Sequence, residues 1–458
     1  MVWDFFIKLH DSLIKTSSVM SKVLISFLGT GRLKDRNSPA RYYDASKYRI
    51  DNKDYDCSFV SVALKQHFGI DKLLLVGTAR SMWEEVYRVY SNQEDDIWMD
   101  IGTECSQKNS NSELSIPHKE AIEQAMGNGS KVVLVKYGIN SEEIKENSEI
   151  ILGLEASLNK GDELFVDISH SFRSLPLFIM NLLIYLRDVS LKKITISGIF
   201  YGMQEASHQF GYTPVVNLNE VLNVNSWISG AYSFMEFGNA YKIASLLDCD
   251  SKIAEPKKFS NPLIAFSEAK NLNHLAELEN QVRKLQVLRN TEGLPLIAKM
   301  VIDPVVKDFL TTVKTKDGQF KHSDFQYQLA IWHKNNHNYT AAYISLNEAI
   351  LTRACELYGV DSADYEAREN MKVVFRWAKG VPGSAHKLEE LGLLNIAQDC
   401  FDKRILKEYA ILYAKVAKNR NAIAHSLKDQ NGRVTNTVNN MIRDLDVFIQ
   451  QYIQKLEC

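Results

Sequence analysis

The sequence predicts an α/β domain with a parallel sheet, followed by an all-α domain. Three observations carry that expectation. Short apolar runs of strand length alternate with helical segments over the first half of the chain. Several of those runs stop at small, polar turns rich in Gly, Thr and Ser. Beyond Pro214 the strand pattern ends and only helical periodicity remains. The expected domains are an N-terminal appendage at 1–20, the α/β domain at 21–217 and the helical domain at 218–458.

In the appendage, Trp3, Phe6, Leu9 and Leu13 share one helical face, and no signal-peptide cleavage pattern is present. Met20 directly precedes a strong strand and reads as an alternative start; an ordinary packed N-terminal helix is the other reading. Val23 to Leu28 is a buried strand that ends in Gly29, Thr30 and Gly31. Glycines there let backbone N–H groups approach a phosphate. The dinucleotide fingerprint G-x-G-x-x-G fails, because Lys34 stands at its last position. Asp35 to Tyr55 is polar and rich in tyrosine (Tyr42, Tyr43, Tyr48, Tyr55) and reads as a long excursion. Ser58 to Phe68 reads as a helix. Lys72 to Gly77 is a second strand, with the turn Thr78, Ala79, Arg80, Ser81 before a helix near Trp83. Residues 91–130 read as helix and surface loop, and Lys131 to Tyr137 as a third strand.

The centre of the domain is Phe165-Val-Asp-Ile-Ser-His-Ser-Phe-Arg-Ser-Leu-Pro176. A buried strand ends at Asp167, and an almost unbroken apolar helix runs from Leu175 to Leu186, with Pro176 tolerated in its first turn. A further strand, Lys193 to Tyr201, follows at βαβ spacing. In an open α/β sheet the carboxyl edge of the strands is where ligands bind, and the adjoining helix N-termini suit anions. The turns there carry Arg80 and Arg173 and no cluster of carboxylates, which points to an anionic ligand rather than a metal or a sugar. A plain capped turn at Asp167 and Ser169 is the alternative.

Composition bounds these readings. Of 458 residues, 45% are apolar and 24% charged, as in a globular protein, and the net charge of −2 supplies no overall field for nucleic acid. Cys57, Cys105, Cys249, Cys355, Cys400 and Cys458 are scattered, without a C-x-x-C pair. That argues against a zinc site or a disulfide scaffold and suits a cytoplasmic location. No apolar run reaches the length of a membrane span.

Leu28-Gly-Thr-Gly31, the Tyr-rich segment, the helix Phe59 to Leu64, Val76-Gly-Thr-Ala-Arg80 with Trp83, and Asp167-Ile-Ser-His-Ser-Phe-Arg173 occur in that order. Together they resemble the CARF domain, the CRISPR-associated Rossmann fold of ancillary ribonucleases in type III systems, over roughly residues 21–215. The family pattern is Asp-x-Thr/Ser-His-Gly-x-Arg, and Ser171 stands here where glycine is usual. The resemblance implies binding of a cyclic oligoadenylate, with cyclic tetra-adenylate the first expectation, across a two-fold axis between two such domains. The residues it implies for the ligand are Gly29, Thr30, Gly31, Thr78, Ala79, Arg80, Ser81, Ser169, His170, Phe172, Arg173 and Tyr201.

In the helical half, Glu255 to Pro262 reads as a break, Glu268 to Arg289 as a solvated helix, and Tyr339 to Tyr358 as a long amphipathic helix with small residues on one side. His333 and His337 are four apart, but their Asn-rich segment favours a turn and no third ligand is near, so no metal is expected. Arg404 to Leu427 is a helix with the seam Leu406, Tyr409, Leu412, Tyr413, Val416, Ile423, Leu427. Arg420 falls on that seam, beside a row of small residues at Ala410, Ala414, Ala417 and Ala424. Residues 403–433 carry eight lysines and arginines against Glu408 and Asp429, a local basic patch that is either RNA-facing or a solvated face.

Arg420-Asn-Ala-Ile-Ala-His425 is similar to the Arg-x4-His motif of HEPN ribonucleases, on a late helix after a long helix containing Glu348. That resemblance implies a composite site in a homodimer or higher symmetric oligomer, acting on single-stranded RNA without a metal or other cofactor. The implied catalytic residues are Arg420, Asn421 and His425. Arginine suits stabilising a phosphorane, and histidine suits proton transfer near neutral pH. Two rivals stand beside this expectation. One is a non-catalytic regulator that binds the cyclic oligoadenylate. The other is a nucleotide-dependent α/β enzyme working at Asp167, Ser169 and His170, although the G-x-S-x-G elbow of serine hydrolases is absent.

Overall fold

The computed structural model describes residues 20–35, 38–42, 45–170, 172–289, 294–311, 321–393, 395, 404–425 and 438–456. The appendage at 1–19, Ser171, and Leu427, Lys428, Asp429 and Arg433 of the basic stretch lie outside them. The chain divides into two compact units, Met1–Asn223 and Val224–Cys458.

The first unit is built on an eight-stranded mixed sheet. Its strands are β1 (Lys22–Leu28), β4 (Ser46–Ile50), β5 (Lys53–Cys57), β6 (Lys72–Gly77), β7 (Lys131–Leu134), β8 (Glu163–Asp167), β9 (Thr195–Gly202) and β10 (Thr213–Asn217), in the order β5-β4-β10-β9-β8-β1-β6-β7. A separate hairpin pairs β2 (Arg32–Asp35) with β3 (Ser38–Tyr42). The longer helices are α1 (Val60–Phe68), α2 (Trp83–Ser91), α3 (Asp96–Gln107), α4 (Lys119–Met126), α5 (Ser141–Gly153) and α6 (Leu175–Asp188).

The apolar runs form the sheet centre because both faces are covered. Leu24 and Leu28 of β1, with Leu73 and Leu75 of β6, pack with α1 to α4. Val23, Ile25 and Phe27, with Leu74 and Val76, pack with α5 and α6 on the other face. This is the period-two alternation of a strand. β1 pairs in parallel with both β6 and β8, so the chain leaves it in opposite directions at different times. The carboxyl ends of β1 and β8 thus form a topological switch point, where open α/β sheets leave a crevice.

Several expectations are corrected. The excursion at 35–55 contains four strand segments, two of which extend the main sheet. Tyr48 and Ile50 are buried between more exposed neighbours, and Asp51 and Asn52 turn the hairpin in the left-handed region (φ 46° and 65°). The sheet is mixed rather than parallel, because β10 runs antiparallel to β9 and β5 antiparallel to β4. β10 also carries the strand pattern past Pro214 to Asn217, and β7 stops at Leu134, short of Tyr137.

The second unit contains helices only, among the described residues: α7 (Asn219–Phe237, beginning in the first unit), α8 (Tyr241–Cys249), α9 (Pro256–Asn271), α10 (Leu275–Arg289), α11 (Leu296–Thr311), α12 (His322–Asn335), α13 (Tyr339–Leu357), α14 (Tyr365–Ala378), α15 (Ser384–Glu390), α16 (Arg404–His425) and α17 (Val438–Leu456). Two cores support it. One gathers Phe234, Ile243, Leu263, Phe266, Leu278 and Leu285; the other is centred on Leu346 and Ile350 of α13. The break expected at Glu255 to Pro262 is instead the first part of α9, with Pro262 inside the helix. Burial of Phe259, Leu263 and Phe266 offsets the few kcal/mol, about 3, that such a proline costs. The single solvated helix expected at Glu268 to Arg289 is two helices, divided at Asn273 (φ 50°), and α10 buries Leu278, Val282, Leu285 and Leu288.

Gly77 ends β6 under two buried side chains. A Cβ there would stand 2.8 Å from Trp83 Cζ2 and 2.9 Å from Ser81 Oγ. Gly77→Ala is therefore expected to lower stability by about 1–3 kcal/mol, read as a lower urea midpoint at unchanged slope. A wild-type midpoint would show that this turn yields without strain.

Candidate functional site

A cleft of about 370 Å³ opens at the carboxyl ends of β1, β6, β8 and β9. Three loops shape it. In the loop after β6, Ser81 Oγ donates to Leu28 O (2.8 Å) and accepts from Thr78 N (3.0 Å), and Trp83 Nε1 donates to Thr78 O (2.9 Å). Met82 N donates to Gly29 O (3.1 Å), which ties this loop to the Gly29–Gly31 turn. From β3, the nearly buried Arg41 guanidinium bonds the carbonyls of Arg80 and Ser81 and pairs with Glu84.

The loop after β8 is fixed by Asp167, which is fully buried. Its carboxyl accepts from Ser26 Oγ (2.6 Å), Ser169 N (2.9 Å) and Ser169 Oγ (2.5 Å). Ser169 Oγ in turn accepts from Gly202 N at the end of β9 (2.7 Å). Burial pushes the His170 imidazole below its ordinary range, against the opposing pull of Asp167. His170 is therefore neutral at pH 7 and can both donate and accept. Phe172 is exposed, with its ring 5.3 Å from that of Tyr137.

Of the residues expected at the ligand, Gly29, Thr30, Gly31, Thr78, Ser81, Ser169, His170, Phe172 and Tyr201 line the cleft. Ala79, Arg80 and Arg173 are not among its lining. Ala79 is buried, Arg80 Nη1 donates to Lys108 O (2.9 Å), and Arg173 is exposed. Ser46, Tyr48, Ser58, Gly202, Gln204 and Glu205 also line it and were not anticipated. Gln204 links Ser46 Oγ (3.1 Å) and Thr213 Oγ1 (3.0 Å), so β4 and β10 build this wall. The alternation of Tyr48 and Ile50 was the available signal. Among the described residues that line the cleft, Glu205 is the one charged residue, and it accepts from Tyr201 OH (2.9 Å). Among the described residues, the lining of the cleft thus offers backbone N–H groups, hydroxyls and aromatic side chains, and no lysine or arginine.

The second group lies on α16. Tyr409, Ala410, Leu412 and Val416 are buried against the α13 core, and Ala414 and Ala417 are half-buried. Asn419 is also buried; its Nδ2 donates to Tyr343 OH (3.0 Å) and contacts Asp444 Oδ2 (3.4 Å). Tyr343 OH donates to Met441 O (2.6 Å), and burial pushes this phenol up to about 12. These bonds hold α13, α16 and α17 in register. Arg420 is half-buried, and its Nε and Nη2 both donate to Asn421 Oδ1 (3.2 and 2.9 Å). His425 is the last residue of α16, and its side chain, like those of Leu406 and Ala424, lies outside the described residues. Glu348 is engaged by Arg368.

No group of three or more His, Cys, Asp or Glu placed to hold a metal ion occurs among the described residues. His333 is fully buried in α12, and His337 is in a left-handed turn (φ 57°). Among the described residues, no helix is long and apolar enough to cross a membrane.

Comparison with known proteins agrees with this geometry. Residues 23–205 match the CARF domain of the CRISPR system endoribonuclease Csx1. The chain is a CRISPR CARF ancillary protein. Residues 223–318 of this CARF protein match the second domain of CRISPR-associated protein MJ1674. The MJ1674 protein of Methanocaldococcus jannaschii is 34% identical over 373 residues, covering 77% of this chain and 57% of that protein. The chain thus spans little more than half the length of that relative. Among solved structures, Enterococcus italicus Csm6 bound to cyclic hexa-2'-fluoro-hexa-dAMP aligns over 95% of each chain, with 10% identity and a TM-score of 0.35. That likeness is too distant to carry detail.

Two outcomes are expected. Ser169→Ala removes the hydroxyl that joins Asp167 to Gly202 N, and should cost about 1–3 kcal/mol by urea denaturation; an unchanged midpoint would mean that water replaces it at no cost. Burial, with nearby Lys270 adding to it, pushes the His333 imidazole down to about 3. The unfolded chain binds this proton below the ordinary histidine value of about 6.5, and the folded chain does not. Stability from this group is full above that value and is lost as pH falls toward 3. Near pH 5 the loss is about 2 kcal/mol relative to neutral pH. His333→Phe should shrink that drop; an equal drop in both proteins would place the acid sensitivity elsewhere.

Proposed function

We propose that this chain is an endoribonuclease activated by a cyclic oligoadenylate, with the messenger at the CARF cleft and single-stranded RNA at the Arg420–His425 turn. The observation that carries the reading is the pairing of Arg420 with Asn421 on a turn that also holds His425, in a chain whose first domain is a CARF domain. No ion pair engages Arg420 among the described residues, so its charge remains for a phosphate.

The cleft suits adenylate rings. Phe172 and Tyr201 offer faces for bases, and the hydroxyl of Thr30, with the backbone of Gly29 to Gly31, offers donors to phosphates. Two copies of the chain facing each other would present two such clefts to one cyclic ligand. Binding activates only to the degree that the ligand favours one arrangement of the two copies over another.

At the RNA site, the 2′-hydroxyl attacks the adjacent phosphorus and loses its proton. The P–O5′ bond breaks and the 5′-oxygen gains a proton, leaving a 2′,3′-cyclic phosphate and a 5′-hydroxyl end. Arg420 holds the charge that builds on the phosphorane. His425 moves the proton near neutral pH. Asn421 orients the guanidinium through its Oδ1. The reaction takes its nucleophile from the RNA itself and requires no metal or other cofactor.

The test is cleavage of a fluorescent single-stranded RNA in EDTA, with cyclic tetra-adenylate or cyclic hexa-adenylate added separately. Cleavage is expected with one ring, the tetramer first, and should fall at least about 100-fold in Arg420→Ala and in His425→Ala. Tight binding of a ring without cleavage would leave a non-catalytic sensor. Cleavage that persists in both variants would move the chemistry elsewhere.

A further inference from the structure

α6 is apolar on the side that faces away from the sheet as well as on the side that meets it. No charged residue occurs from Leu175 to Leu186. The inner arc, Leu175, Ile179, Leu182, Leu183 and Leu186, is buried in the core beneath the sheet. The outer arc is Leu177, Met180, Asn181, Ile184 and Tyr185, which fall within about 140° at 3.6 residues per turn. Leu177 is 68% exposed, Asn181 and Tyr185 are exposed, and Met180 and Ile184 are half-buried. α5, on the same face of the sheet, is built differently. It turns Glu142, Lys145 and Glu149 to solvent, as a surface helix does. A helix that is apolar all round is a buried helix, so the outer arc of α6 is made to be covered. At 14 residues α6 is too short to cross a membrane.

The place of α6 in the fold indicates what covers it. Its first residue, Leu175, lines the cleft, as does Phe172 in the loop before it. The cleft, at about 370 Å³, is near the lower end of the range for a drug-sized ligand. A ring of four or more nucleotides leaves much of itself outside such a cleft and needs a second surface. A second copy of the chain supplies one, with the same cleft. When one ring meets two clefts, both α6 helices start at the ring and run from it side by side. Leu177, Met180 and Ile184 then recur at the three- and four-residue spacing of a two-helix seam, each facing its own counterpart. Because the arc carries no charge, two copies meet there without like charges opposed, and a strongly charged partner finds no complement.

We propose that the outer arc of α6 is the face on which two copies of this chain meet, with their clefts joined at its N-terminal end. The proposal rests on the messenger reading above and adds the surface that completes its site. The helix is about 21 Å long, and a single seam of that length covers less than the roughly 800 Å² per partner of a stable interface. The ring, bridging both clefts, adds the missing contact, so ring binding and pairing strengthen each other.

The test uses the full chain. Leu177→Cys, treated with a short bis-maleimide, should give a covalent dimer, and cyclic tetra-adenylate or cyclic hexa-adenylate should raise its yield. Lys145→Cys on α5 should stay at the level of the unmodified protein, whose exposed Cys249 sets the background. Leu177→Glu alters a position exposed in the single chain but opposes two carboxylates in the seam. Its urea midpoint should be unchanged, and its affinity for the ring should fall at least about tenfold. A ring bound by two chains with no cross-link at 177 above background would overturn α6 as the meeting face and leave the messenger reading standing. Equal cross-linking at 145 and 177, or wild-type ring affinity in Leu177→Glu, would do the same. If the unmodified protein binds neither ring, the messenger reading itself fails, and the cross-link at 177 alone decides whether α6 pairs.

Discussion

The first domain depends on one buried carboxyl group. Asp167 sits at the carboxyl end of β8 with no exposed surface, and a buried carboxyl must be hydrogen-bonded to be tolerated. Its partners come from the strands on both sides: Ser26 of β1 directly, and Gly202 of β9 through Ser169. Three neighbouring strand ends are thereby fixed at the switch point. The approach is tight as well as bonded, since a Cβ on Gly202 would stand 2.6 Å from Val60 Cγ2. The loop after β8 is thus set from beneath, and Ser169, His170 and Phe172 can face the cleft without holding the strands together alone.

The legible parts of this architecture are those with a strong local pattern. β1, β6 and β8 are covered on both faces, so their side chains are apolar without interruption. β4 and β5 are near an edge, half exposed, and their charged residues hide a period-two pattern that only Tyr48 and Ile50 betray. The same applies to β10, whose short run Val215 and Val216 follows a proline. These elements supply Ser46 and Tyr48, and Gln204 is anchored to β4 and β10, so the wall of the cleft missed by pattern reading is the wall built by weakly patterned strands. In the helical unit, α10 alternates charges with buried leucines and reads as solvated until a partner helix is present.

Two arginines at the cleft loops are engaged within the protein. A cation in a strand-end turn suggests an anion, but the guanidinium of Arg80 is committed to the Lys108 carbonyl and that of Arg41 to Glu84 and two loop carbonyls. Arginine's planar array of donors suits the gathering of several carbonyls, and a turn with many unpaired carbonyls recruits it structurally. Among the described residues, the cleft lining presents neutral groups apart from Glu205, and Arg173 of the loop after β8 is exposed. Such a site distinguishes by shape and hydrogen-bond direction more than by charge, and a single Glu205 in its wall favours the edge of a base with N–H donors over a bare phosphate.

The helical site follows a similar division of labour between adjacent residues. Asn419 and Arg420 are consecutive on α16, so their side chains diverge by about 100°. Asn419 is turned inward, where Tyr343 and Asp444 receive it, and that contact fixes the rotation of the helix about its axis. Rotation by one residue would bury the Arg420 charge without a partner, at a cost of several kcal/mol. The inward amide therefore keeps Arg420 half-buried at the edge of the apolar seam. Asn421 then takes both Arg420 N–H groups on one oxygen, which leaves the remaining guanidinium donors directed by the fork and not by a flexible stem.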